Sequence, residues 1–518
     1  MGGTFSSGRM ETRSGRERSN DDNLAAILHF LIRSGQVHIF SPEDVSDDEI
    51  VAPTTPPRIE TQPNTKLLDI SEISLKTKQC AGLLHSRSKK RPYSVISMCS
   101  ARENGMFGNG AFTAGDKCRI TNSYLPYNIE EVEVYGNKAF CGTYSSDGQQ
   151  LLTACQDRFI RLYYTKGNRF KMYQKIQARD VGWSILDTAF SPDGQWLAYS
   201  SWSESLHLCR LSDPENQETL PLCPEDRRFC VFSIVFSADG SEILGGANDG
   251  FLYVYNRECN QRALRIEGHS DDVNTVAFAD NTSHILYSGG DDGLCKVWDR
   301  RTLNECFPKP VGVLAGHRDG ITFIDPKGDG THFISNSKDQ SIKLWDVRNF
   351  STSDAQVLTR QAVSGQNWDY RWQKVPKKLS NTKGNLKGDT SIMTYRSHSV
   401  LQTLIRCRFS PMTTTGQRYI YTGCSSGRVV IYDVLTGKVV KVLSGHRGCV
   451  RDVTWHPFQS EIVSTSWDQS VICWRNIRQN IDNEDTIDEK KDIVVRRSAR
   501  IAEKLQRRAE LNDEDSDN

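Results

Sequence analysis

The sequence predicts an all-β protein, a seven-bladed β-propeller with a short N-terminal helix and flexible termini. A single unit recurs from about Phe140 to Ile477: an apolar strand, a tight turn, a second strand, a small-residue turn carrying an acid, and a third strand that ends in Trp or Tyr. The turn acid sets the period. Read at Asp157, Ser203, Asp249 (with Asn248 before it), Asp292, Asp339, Ser426 and Asp468, successive differences are 46, 46, 43, 47, 87 and 42. All but one lie near the roughly 40 to 45 residues that build one blade. The stretch NWDYRWQKVPKKLSNTKGNLKGD has no alternating strand pair, so the long interval reads as an insertion at 349–397, and seven blades remain. Ring closure removes the exposed edges that separate four-stranded sheets would present.

Taken in chain order, 1–23 reads as a disordered N-terminus and 24–40 as an amphipathic helix with a short extension, placing Leu24, Ile27, Leu28 and Leu31 on one face. Such a helix either enters a partner's groove or packs on the ring. Residues 41–118, with APTTPPRIETQP, read as linker and propeller lead-in, and the ring spans 119–477. A segment within Ile120 to Tyr135 is expected to supply the outer strand of the last blade. The charged tail, 478–518, passes from acidic to basic and back; VVRRSARIAEKLQRRAEL fits a solvated helix or a nucleic-acid element.

Composition narrows the function classes. A formal net charge of +1 with 37% hydrophobic and 25% charged residues gives no global pull toward nucleic acid or membrane. No run approaches the roughly 18 to 20 apolar residues of a membrane helix, and no secretory leader opens the chain. The 15 cysteines sit mostly in apolar strand runs, as reduced buried thiols do. An intracellular protein of nucleus and cytoplasm is expected, with HSRSKKRPYSV fitting either an import signal or a solvated loop. MGGTFS formally matches an N-myristoylation pattern at Gly2.

Three repeats are complete enough to predict a buried hydrogen-bonded set: His269, Ser288, Asp292 and Trp298; His317, Ser335, Asp339 and Trp345; His446, Ser464, Asp468 and Trp474. Ser, His and Asp together also describe a hydrolase triad, but catalysis needs one exposed nucleophile and this set repeats. G-x-x-x-x-G-K-[ST], H-E-x-x-H and C-x-x-C are all missing from the sequence. No catalytic residue, metal site or cofactor is expected.

In this pattern the chain resembles the WD-repeat family, whose structural tetrad these sets match. Two consecutive repeats end in Trp298-Asp299-Arg300-Arg301 and Trp345-Asp346-Val347-Arg348. A local surface ion pair explains one such W-D-x-R match. The doublet resembles the D-x-R box of the substrate receptors of cullin-4 ubiquitin ligases. That resemblance implies that Arg301 and Arg348 contact the damaged-DNA-binding adaptor protein, oriented by Asp299 and Asp346, and through it cullin-4 and the RING subunit. The helix bearing Leu24, Ile27, Leu28 and Leu31 would be a second adaptor contact.

Further runs, VFSIVFSADGSEILGGANDGFLYVYNRE, QNWDYRWQKVPKK and LIRCRFSP followed by CVRDVTWHPF, extend the likeness to one branch of these receptors from Lys138 to Trp474, insertion included. The tail departs from that branch. In such propellers a protein target sits on the top face, here Arg179, Asp180, Trp183, Trp202, Arg228, Asn248, Asp271, Arg318, Asp319, Lys338, Arg447 and Trp467, although Trp183 and Trp202 equally fit packing between blades. The rival expectation is a scaffold in a nuclear RNA-processing or chromatin assembly.

Overall fold

Each repeat folds into a four-stranded antiparallel sheet, and seven such sheets are present. The computed structural model describes residues 57, 59–84, 94–105, 110–224, 228–380 and 384–476. Blades 1 to 7 occupy 139–177, 187–221, 231–267, 273–315, 321–395, 407–444 and 450–475. Inner strands such as Val273–Phe278 and Val450–Trp455 are buried at every residue, because neighbouring blades cover both faces. Outer strands such as Gln261–Glu267 meet solvent.

Closure follows the expected route. Asn128–Val134 pairs with Ser470–Arg475, setting Asn128 opposite Arg475 and Ile129 opposite Trp474. Arg475 Nε donates to Glu461 at 2.6 Å, and its guanidinium also pairs with Glu130 of the incoming strand. The last blade is thereby tied to residues more than 300 positions earlier.

Two boundaries differ from the sequence expectation. Residues 41–118 are more than linker: their described part holds α1 (Lys66–Ile70), α2 (Glu72–Cys80), α3 (Val95–Glu103) and α4 (Ala114–Thr121), the last crossing the expected start of the ring at 119. Leu68 and Ile73 are fully buried in a cluster with Met393, Tyr432 and Val434. One or two turns per helix give too few apolar positions for a readable period. The insertion, too, stops short of 397, since Met393–Tyr395 is the outer strand of blade 5, opposite Ile342–Leu344. Residues 1–23, the helix at 24–40 with Leu24, Ile27, Leu28 and Leu31, most of HSRSKKRPYSV and the tail at 478–518 lie outside the described residues.

The three complete blades each pin their third strand with the same bonds. In blade 5, His317 Nε2 meets Ser335 Oγ at 2.6 Å, His317 Nδ1 meets Asp339 at 3.0 Å, and Trp345 Nε1 donates to Ser335 Oγ at 2.7 Å. Blades 4 and 7 repeat this around Ser288 and Ser464. Burial alone would raise the Asp339 carboxyl, yet His317 beside it holds it well below the usual range. Ser335→Ala leaves two buried polar groups unpaired, so the thermal midpoint should fall by the equivalent of about 1 to 3 kcal/mol. Blade 6 solves the problem differently: Tyr432 stands in the Trp position and its hydroxyl meets His398 Nδ1 at 2.9 Å.

The central channel is closed by charge. Arg406, at the entry to blade 6, reaches Asp187 of blade 2 at 2.7 Å and Asp452 of blade 7 at 3.1 Å, while Arg408 meets Asp452 at 2.7 Å. Arg451 donates to the carbonyls of Phe140 and Leu186 at 2.7 and 2.9 Å. Beside this cluster, burial pushes the Asp325 carboxyl up to about 7, even though it accepts the Phe409 N–H. A folded pKa above the unfolded 3.8 means that the native state holds the proton longer, so this group costs stability as pH rises from about 4 through about 7. Asp325→Asn keeps the acceptor and should raise the thermal midpoint at about pH 8 while leaving it unchanged near pH 3, as scanning calorimetry at both values would register.

Candidate functional surfaces on the two faces of the ring

Strand direction decides which residues share a face. In every blade the turns joining first to second and third to outer strands point one way, the bottom. The turns into the third strand and the loops into the next blade point the other way, the top. A W-D-x-R arginine follows the third strand and therefore stands at the bottom.

At the bottom the two boxes have the same internal geometry. Asp299 accepts from the Arg301 backbone N–H at 3.0 Å and from its Nε and Nη2 at 2.9 and 2.7 Å. Asp346 accepts from the equivalent atoms of Arg348 at 3.0, 2.9 and 2.7 Å. Each carboxylate thus grips one edge of its guanidinium and aims the other edge outward, with side chains 62% and 51% exposed. The bonds from Arg301 draw the Asp299 carboxyl down to about 2, so the clamp stays charged at neutral pH.

The boxes differ in one respect: Arg348 Nη1 donates to Glu72 of α2 at 2.7 Å. The turn after Arg301 also carries Phe307, 85% exposed, and the turn after Arg348 carries Phe350. Arginines beside exposed aromatics are the composition of binding hot spots.

The insertion reaches from this face to the other. Its helix α5 (Ser353–Ser364) runs along the outer strand of blade 4, with Val363 and Thr359 against Gly293 at a top turn. Trp368 Nε1 then donates to Asp319 at 2.8 Å, and Tyr370 lies over Lys338, whose ammonium pairs with Asp291 at 2.7 Å. Burial raises the Asp319 carboxyl to about 6. Lys338 and Asp319 are buried and Arg318 is half-buried, so the insertion roofs the top of blades 4 and 5. The return is anchored by Lys343 and Asp389, an ion pair of 2.5 Å with side chains 2% and 1% exposed.

The remaining top-face residues divide by environment. Asn248 is spent on the backbone of Arg228 and Cys230, and Trp202 is half-buried against Gly182. Arg179, Asp180, Arg228, Asp271 and Arg447 are exposed. Trp183 is 49% exposed and meets buried Phe140 edge-on at 5.4 Å; Trp467 lies 5.7 Å from the same ring and carries Lys138 over its own face at 4.3 Å. Structure therefore brings Trp183 and Trp467 together and separates them from Arg318 and Lys338.

Comparison with known proteins fits this architecture. The model of the WD domain, G-beta repeat, matches residues 260–299, 308–346 and 437–475. A DDB1- and CUL4-associated factor 11 homolog of Caenorhabditis elegans is 43% identical over 370 residues, which are 69% of this chain and 64% of that protein. The homolog from Caenorhabditis briggsae is 38% identical over 405 residues, 75% of this chain and 72% of its own. The chain belongs to the DDB1- and CUL4-associated factor 11 family. The LEC14B protein of Lithospermum erythrorhizon is also similar, 41% identical over 397 residues covering 74% and 82% of the two chains.

Within this member of the DDB1- and CUL4-associated factor 11 family the W-D-x-R pattern occurs a third time, as Trp368-Asp369-Tyr370-Arg371. Arg371 grips Asp369 as the other two arginines grip their acids, with Nη2 2.6 Å from Oδ2. The copy lies on the insertion at the top, so spacing alone does not mark the bottom surface; a preceding third strand does. Sequence reasoning missed Glu72, Phe307, Phe350, Lys138 and Phe140. The first belongs to a helix without a readable period, the two turn phenylalanines have no motif, Lys138 was read only as the limit of the likeness and Phe140 only as the start of a strand. No helix among the described residues is long and apolar enough to cross a membrane, and those residues contain no cluster fit for a metal ion.

Proposed function

We propose that this chain is the substrate receptor of a cullin-4 RING ubiquitin ligase, acting in nucleus and cytoplasm. Its bottom face grips the damaged-DNA-binding adaptor, DDB1, and its top face holds a protein target. The supporting observation is the paired box: two adjacent blades present Arg301 and Arg348 with one guanidinium edge fixed by an acid, the other edge being directed outward in Arg301 and held by Glu72 of α2 in Arg348. A fork held in this way loses little side-chain freedom on meeting a carboxylate or carbonyl pair. The names of the nematode relatives associate those proteins with DDB1 and CUL4. The receptor has no chemistry of its own in this reading; it raises the local concentration of a target near the charged enzyme.

Purified adaptor pulled down with wild type and with Arg301→Ala plus Arg348→Ala tests the reading. Both positions are exposed, so the variant should keep its thermal midpoint and lose at least about tenfold in affinity. A folded double variant that binds like wild type rules the box out as the contact.

A further inference from the structure

The two arginine boxes of the bottom face are not equivalent. Arg301 spends Nε and Nη2 on Asp299, and its other edge has no partner among the described residues. Arg348 spends the same atoms on Asp346, while its Nη1 donates to Glu72, which Lys76 also holds at 2.6 Å. Lys76 and Arg348 keep the Glu72 carboxyl below the usual range, so both acids and both bases of this chain of contacts stay charged at neutral pH.

Glu72 is not carried there on a loose arm. Pro63 packs on Gly437, and the main chain of Cys80 on Gly416, both in bottom turns of blade 6. Leu68 and Ile73 are fully buried against the blades. An element anchored in this way fits poorly with a gate that a partner pushes aside. Its outward side is apolar: Leu67 and Leu75 are exposed, and Ile70 is 83% exposed. Leu75 and Lys76 follow Glu72 by three and four residues and so share its side of α2. In open water the bridge between Arg348 and Glu72 adds little stability. It gains weight when a partner covers it, because either group alone would then be desolvated without a counter-ion.

We propose, resting on the receptor reading above, that Arg348 acts on the adaptor through Glu72, as a positioning residue that sets α2, while Arg301 offers its fork directly. The adaptor surface then continues from Arg301 across the bridge onto Leu67, Ile70 and Leu75, which adjoin the second box on the same face of the ring.

The test is a cycle of adaptor affinities measured on the full chain, with the melting of each variant checked. Glu72→Ala and Arg348→Ala should each weaken binding by about fivefold, and the double variant by no more than either alone. Arg301→Ala should multiply with both, as an independent contact does. Glu72→Arg combined with Arg348→Glu rebuilds the bridge end for end and should recover part of the loss. Ile70→Asp should weaken binding at unchanged melting. If the losses at 72 and 348 multiply, if Glu72→Ala binds as well as wild type or better, or if the exchanged pair recovers nothing, this inference falls and the receptor reading stands. Ile70→Asp that binds like wild type removes the helices from the surface and overturns it as well. Wild type that binds no adaptor removes the receptor reading and this inference together.

Discussion

Asp452→Ala should cost the ring about 3 to 5 kcal/mol, the largest loss expected from a single substitution in this chain. Asp452 is completely buried and bonds Arg406 at 3.1 Å and Arg408 at 2.7 Å. It also accepts the Val453 N–H at 2.9 Å. Removing it leaves two guanidinium groups in the channel with Asp187 as the remaining close counter-ion, bound to Arg406 alone. Water reaches a closed channel poorly, so neither charge regains its hydration. Because the cluster joins blades 2, 6 and 7 across the axis, the loss loosens the closure as well as one blade. Asp452→Asn keeps one acceptor oxygen but sets an NH2 donor against the other guanidinium, so it should recover only part of the loss. Urea titration followed by tryptophan fluorescence gives the comparison; equal midpoints for wild type and Asp452→Ala would show that the cluster contributes no net stability.

The second large effect concerns the roof. Asp389→Ala strands Lys343 Nζ, whose other contacts are the hydroxyls of Thr394 at 3.0 Å and Ser391 at 3.3 Å. An unpaired buried ammonium costs about 3 to 5 kcal/mol unless the segment moves aside, and here the insertion is free to do so. The expected result is local opening: trypsin should cut at Lys374, Lys377 or Lys387 faster in the variant, while the blades keep their melting. Lys343→Met combined with Asp389→Leu removes both charges and should restore slow cleavage. Unchanged proteolysis in Asp389→Ala would mean that α5 and Trp368 hold the roof without the ion pair.

Legibility in the sequence tracked the range of the interactions involved. The complete blades were readable because Trp298 and His269 share the Ser288 hydroxyl while Asp292 holds the other ring nitrogen of His269, which sets Ser, Asp and Trp at spacings of four and six residues. Blade 6 was harder, since Tyr432 and His398 achieve the same satisfaction with different atoms. The incoming strand was foreseeable from the need to close the ring, although its register was not. Long-range partners left no trace: Lys343 and Asp389 are 46 positions apart, and Glu72 meets Arg348 across 276. The box residues were identified from their pattern. That the third W-D-x-R is turned to the opposite face, and that Lys338 lies beneath Tyr370 instead of facing solvent, depended on where the insertion travels. Exposure of Trp183 and half-burial of Trp202 were likewise decided by packing against Phe140 and Gly182, which no spacing encodes.

Hydrogen exchange of the full chain with and without saturating adaptor most directly tests which face does the gripping. The account predicts slowed exchange in the turns that follow Asp299 and Asp346 and in α2, with Lys138 to Phe140, Trp183 and Trp467 unaffected. Protection confined to the top face, or none at adaptor concentrations that saturate a known receptor, would contradict it.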